Sequence, residues 1–203
     1  GLEGVSASEI YESTLKNLYP GVKMSNVRES LVMTARTMVE KDPNYSFVTA
    51  RLLMDTLRAE ALSFLGITDA ATQSEMHYRY STALKSYIEK GVELELLSPH
   101  LLEFDLTVLG EALQADRDMQ FTYLGLQTLY DRYFIHSNDV RFELPQVFYM
   151  RVAMGLASNE ENKEERAIEF YNLISSFDYM VSTPQLFNSG TLRPQLSSCF
   201  LTT

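Results

Sequence analysis

The sequence predicts a mainly α-helical fold, a multi-helix domain with short β segments at its C-terminal end. Three observations predict it. Apolar residues recur at helical spacing along most of the chain, a capping-box pattern opens the first such stretch, and only after Asp178 does the texture become short and extended-looking. With 203 residues, 45% hydrophobic and 22% charged, the chain has the balance of a folded protein with a sizeable core.

Each element follows from local chemistry. Ser6-Ala7-Ser8-Glu9 has the S-x-x-E form in which a serine hydroxyl and a glutamate satisfy the first free N–H groups of a helix, here one ending by Pro20-Gly21 with Tyr11 turned inward. Val27, Leu31, Ala35 and Met38 form one stripe on a second helix that Asp42-Pro43 terminates. Met54, Leu57, Ala61, Phe64 and Leu65 mark a third, closed by Gly66, and Met76, Tyr80, Ala83, Leu84 and Tyr87 a fourth, ahead of Gly91. Leu126, Leu129, Tyr130 and Tyr133 repeat the pattern. The stretch Tyr133 to Phe142 then carries two short aromatic or β-branched pieces around Ser137-Asn138-Asp139, which predicts a small hairpin. Pro145 suits the first turn of a helix faced by Phe148, Val152, Gly155 and Leu156, and Ala167, Phe170, Tyr171, Ile174 and Phe177 face the next. Beyond it, Val181 to Pro184 and Leu196 to Leu201 read as extended pieces flanked by Asn188, Gly190 and Pro194. A strand without neighbours leaves its backbone polar groups unpaired, so a sheet continuing beyond Thr203 is expected.

Composition excludes several classes of function. Lys and Arg number 17 against 27 Asp and Glu, and a formal charge of −10 repels nucleic-acid phosphate. No stretch approaches the ~20 apolar residues of a membrane span. A single cysteine, Cys199, allows no internal disulfide, and Gly1-Leu2-Glu3-Gly4 lacks the features of a secretion signal, so a cytoplasmic origin is expected. His77, His100 and His136 are far apart, and no metal site follows from their spacing. Asp116 and Asp118 flank Arg117, which reads as a structural ion pair, and the charged run Glu160 to Arg166 as a solvated helix start. From the residues alone, the chain is a helical interaction module without catalysis.

Four segments change that reading. Ser182-Thr183-Pro184 and Leu196-Ser197-Ser198-Cys199 resemble the start of the barrel in the large subunit of class I ribonucleotide reductase. Asp116-Arg117-Asp118-Met119-Gln120-Phe121-Thr122-Tyr123 resembles the D-R-D-M-x-F-x-Y segment of that family's helical domain. Tyr45 to Leu53, YSFVTARLL, resembles the helix leaving its ATP-cone. The four occur in family order.

The resemblance implies an organisation and a chemistry. Residues 1–58 would be the C-terminal part of an ATP-cone, 59–180 the N-terminal helical domain and 181–203 the start of the catalytic barrel. Cys199 matches one of two thiols that reduce the ribose 2′ position of a ribonucleoside diphosphate, and Thr183 and Ser198 match positions against that substrate. The radical-carrying and second redox cysteines would lie beyond Thr203, so this chain alone is expected to be inactive. It would hold no cofactor or metal of its own. The implied partners are the rest of the large subunit, a radical-generating, metal-containing small subunit and a thioredoxin- or glutaredoxin-type reductant. The cone is expected to be degenerate. Where the family places a threonine and a histidine after Gly-x-Lys, the chain has Met24 and Arg28 after Gly21-Val22-Lys23, and Ala59 stands in place of a lysine.

Overall fold

In the computed structural model, which describes residues 2–199, the chain is built from helices, with one two-residue hairpin. In order these are α1 (Ala7–Leu15), α2 (Met24–Thr37), α3 (Tyr45–Phe64), α4 (Gln73–Glu93), α5 (Leu106–Glu111), α6 (Tyr123–Arg132), β1 (His136–Ser137), β2 (Val140–Arg141), α7 (Pro145–Ala157), α8 (Lys163–Ser175) and α9 (Thr183–Asn188). Short 3-10 turns cover Met38–Glu40, Pro99–Glu103 and Ala115–Gln120.

Local signals act mostly as expected. Ser6 caps α1 by accepting from the Glu9 N–H, but the reciprocal arm is exchanged: the Ser6 N–H donates to the Tyr45 phenol, and Glu9 pairs with Lys41. The full reciprocal box forms instead at α4, between Thr72 and Glu75. Gly91 does not end α4. It lies inside the helix, where a Cβ would strike the Leu97 side chain, and the reversal falls on Glu95, held at φ +57°. The hairpin pairs His136 with Arg141 and Ser137 with Val140, and Asn138 and Asp139 supply the two positive φ angles of its tight turn.

Two apolar clusters organise the packing. Ile10, Ala35, Met38 and Tyr45 join α1, α2 and the start of α3, and Tyr11 points away, 60% exposed. On a helix as short as α1, an offset of one residue, about 100° of rotation, moves an aromatic from core to solvent. The larger cluster gathers around α3, α4 and α7, with Leu57, Tyr80, Val152 and Ile174 inside and Leu129 and Phe64 packed at its margin. Helix α3 runs unbroken across residue 58, the boundary that the resemblance implies between cone and helical domain. Helix α7 is central: it is buried on every side, Gln146 and Arg151 included.

The region after Asp178 departs from expectation. Residues 183–188 are helical, because Gln185 accepts from the Ser182 backbone N–H at 2.9 Å and hydroxyl at 3.1 Å, and Pro184 occupies the first turn. Between Ser189 and Cys199 the regular pairing is a single antiparallel bridge from Thr191 to Leu97. The rest of the segment expected to open a barrel, residues 200–203, lies outside the described residues.

Candidate functional site

Of the three residues expected to meet substrate, Thr183 lies at the N-terminal start of α9, and Ser198 and Cys199 lie on the segment that leaves its C-terminal end. Thr183 opens α9, exposed, its hydroxyl 3.5 Å from the Tyr133 phenol, whose ring stacks on Phe187. Ser198 and Cys199 are exposed, and the Ser198 hydroxyl stands 3.9 Å from the Cys199 sulfur. Ser198 and Cys199 stand together as chain neighbours. Thr183 makes its side-chain hydrogen bond to Tyr133 instead.

What seats this face is a buried ionic cluster that sequence reasoning missed. Arg151, in the middle of α7, donates from Nε to Glu143 Oε1 at 2.8 Å and from Nη2 to Oε2 at 3.2 Å. Its Nη1 donates to the carbonyls of Leu186 at 3.0 Å and Ser189 at 2.8 Å, at the end of α9. Glu143 also accepts from the Tyr87 phenol at 2.5 Å and the Ile135 N–H at 2.9 Å. Both charged side chains are fully buried. Burial first, and the Glu143 charge second, push the Tyr87 phenol well above its ordinary pKa, so it remains a donor. Burial alone would weaken the Arg151 cation, but Glu143 and Tyr87 together raise its pKa above the usual value. A signal was present: a lone arginine inside the apolar run of residues 145–157 requires a buried counter-charge.

The turn after α9 is moulded against α7. Gly190 adopts φ +77°, and a Cβ on Gly155 would come within 2.2 Å of the Gly190 nitrogen, so neither position tolerates a side chain without displacing the turn. Ser189 adds a hydrogen bond from its hydroxyl to the Val152 carbonyl at 2.7 Å, and the Ser98 N–H donates to the Gly190 carbonyl at 3.0 Å.

A second cluster corrects the reading of Asp116-Arg117-Asp118. Asp118 is buried and does not pair with Arg117. It accepts from Tyr80 at 2.7 Å, Gln146 at 2.8 Å and Arg58 at 3.3 Å. Burial raises its pKa, against the pull of Gln146, Arg58 and Tyr80. Arg117 turns to Asn172 and Ser175 over the Tyr171 ring, and exposed Asp116 meets His77 at 3.3 Å. The cause is the 3-10 turn at 115–120, which sends neighbouring side chains to opposite sides. His100 lies exposed beside Glu103, and His136 is exposed on the hairpin. Among the described residues no three His, Cys, Asp or Glu side chains converge as a metal site, and no helix is long and apolar enough to cross a membrane.

Around Arg28 and Ala59 an open depression also carries Glu60 and Asp69, while Met24 is 65% exposed. Glu60 is engaged by the Tyr130 phenol and the Arg141 N–H. Two carboxylates beside one arginine make a poor seat for a triphosphate.

Comparison with known proteins finds the same family. Residues 119–194 match the family model described as ribonucleotide reductase, all-alpha domain. The chain is 45% identical over 201 residues to the ribonucleoside-diphosphate reductase subunit alpha of Chlamydia trachomatis, covering 99% of this chain and 19% of that protein. It is 37% identical to the subunit alpha of Helicobacter pylori, covering 98% of this chain and 24% of that one. With the large subunit of Danio rerio it shares 33% identity, covering 97% and 24%. The chain therefore spans about a fifth to a quarter of the length of these relatives.

Proposed function

The chain carries the all-alpha domain of the ribonucleotide reductase large subunit, and on that premise we propose that it serves a polypeptide that reduces ribonucleoside diphosphates to deoxyribonucleoside diphosphates in the cytoplasm, supplying DNA precursors. One observation carries the reading: the matched domain runs directly into an exposed segment that bears the chain's single cysteine beside a serine hydroxyl.

In the net reaction the C2′–O bond of the ribose breaks and its oxygen leaves as water. A C2′–H bond forms, and two thiols lose two electrons and two protons to become a disulfide. Cys199 is one of those thiols, and its partner comes from outside these residues. Thr183 and Ser198 offer hydroxyls that donate to or accept from the bound diphosphate substrate. A metal-containing small subunit supplies the radical that opens the ribose to this chemistry, and an external dithiol of the thioredoxin or glutaredoxin type resets the disulfide.

The test is a reductase assay of the complete polypeptide with its small subunit and a dithiol. Deoxyribonucleotide product from diphosphates is expected; its absence under conditions that activate a known reductase sinks the reading. Residues 1–58 act as the tail of a degenerate ATP-cone, supported by Met24, Ala59 and the acidic depression around Arg28. Calorimetric titration of the chain with ATP and with dATP is expected to show no micromolar binding. Such binding would mean that Lys23 and Arg28 suffice to hold a triphosphate.

A further inference from the structure

The segment carrying Ser198 and Cys199 has little regular pairing of its own, so its direction depends on how it is held at α9. One residue does most of the holding. The backbone carbonyl of Asn188 accepts from the Thr191 N–H at 3.0 Å and hydroxyl at 2.8 Å. The Asn188 side-chain amide then reaches across the loop and donates from Nδ2 to the Gln195 carbonyl at 2.7 Å. Within the loop, the Arg193 N–H donates to the Thr191 hydroxyl at 3.3 Å and the Gln195 N–H to the Arg193 carbonyl at 2.8 Å. Asn188 itself lies between Leu186 and Ser189, the two residues whose carbonyls Arg151 grips from the core.

We propose that Asn188, seated by the buried Arg151–Glu143 pair, is a positioning residue: its amide clasps the Gln195 carbonyl and so fixes where the Ser198 hydroxyl and Cys199 thiol stand. The geometry is specific to asparagine. An aspartate has the same size but no N–H to donate, and it would turn a carboxylate oxygen toward a carbonyl oxygen. The catalytic half of the proposal rests on the reading of Cys199 as a reducing thiol; the clasp itself does not.

Because removing Arg151 also breaks the buried ion pair, the test is made at Asn188, which is only partly buried. Cys199 is the single cysteine of the chain, so a nitroxide attached there reports on this segment alone. Asn188→Ala and Asn188→Asp are expected to raise the label's mobility and to leave the thermal midpoint of the chain unchanged. In the complete reductase both are expected to lower kcat by about tenfold to a hundredfold, as misplacement of a reacting group does, at nearly constant KM. Wild-type label mobility in both variants overturns the proposal. So does a loss of activity that merely follows a fallen thermal midpoint. Raised mobility together with full turnover of Cys199→Ser supports the clasp and overturns the reading of Cys199.

Discussion

Cys199→Ser in the complete reductase is expected to drop steady-state turnover to background while leaving the helical fold and effector binding intact. Sulfur and oxygen differ little in size, so the replacement is close to isosteric. What disappears is the two-electron couple between a dithiol and a disulfide, which a hydroxyl cannot supply. The measurement is multiple-turnover formation of deoxyribonucleoside diphosphate with a dithiol reductant, alongside circular dichroism of the variant. Undiminished turnover removes Cys199 from the chemistry and leaves it an ordinary structural cysteine. In the isolated chain the same thiol is expected to react readily with alkylating agents, being exposed.

Glu143→Ala is expected to destabilise the chain by about 3–5 kcal/mol, the cost of leaving one partner of a buried pair uncompensated. The loss falls on several groups at once. Arg151 keeps its charge with two backbone carbonyls as its remaining oxygen partners, and the Tyr87 phenol and Ile135 N–H lose their acceptor. For a chain of this size the thermal midpoint should fall by about 6–20 °C. The double replacement Glu143→Leu with Arg151→Met removes both charges and should recover part of the loss. Recovery stays partial because the carbonyls of Leu186 and Ser189 are then left without their donor, at about 1–3 kcal/mol each. A full return to wild-type stability would show that Arg151 contributes charge balance alone and does not brace the end of α9.

These two cases show what a linear pattern can and cannot reveal. The stripes on α2, α3, α4 and α8 were legible because each helix repeats its apolar residues on the face it buries, and α7 because its apolar run is nearly continuous. The hairpin was legible because Asn138 and Asp139 tolerate positive φ where other residues would be strained. That Arg151 needs a buried anion could be read from the apolar run around it. That the anion is Glu143 could not, since the pair spans the entry into α7 and is set by how that helix seats in the core. The true partners of Asp118 are not legible from its neighbours, because Arg58, Tyr80 and Gln146 come from three separate helices. Helix α9 was hidden by its own composition. Ser182, Thr183 and Pro184 favour extended backbone in isolation, yet a serine cap, a proline in the first turn and a glutamine at the third position also start a helix. At the site, residue types were legible through the resemblance, whereas the clasp by Asn188 depends on a loop closure that leaves no periodic trace.

The burial of α7 on all sides has a consequence for synthesis. A helix with no solvent face gains little from forming until its neighbours exist, and two of the groups that satisfy Arg151 belong to residues made after it. On a ribosome adding ~10 residues per second, residues 158–189 follow α7 by on the order of a few seconds. Until residues 186–189 have also left the exit tunnel, the apolar run of residues 145–157 has no settled place, and a nascent chain paused as that run emerges would present it to chaperones or to other chains. Rare codons or stalls placed so that residues 145–157 have emerged while 186–189 are still inside the ribosome should therefore lower the soluble yield more than the same delays placed earlier.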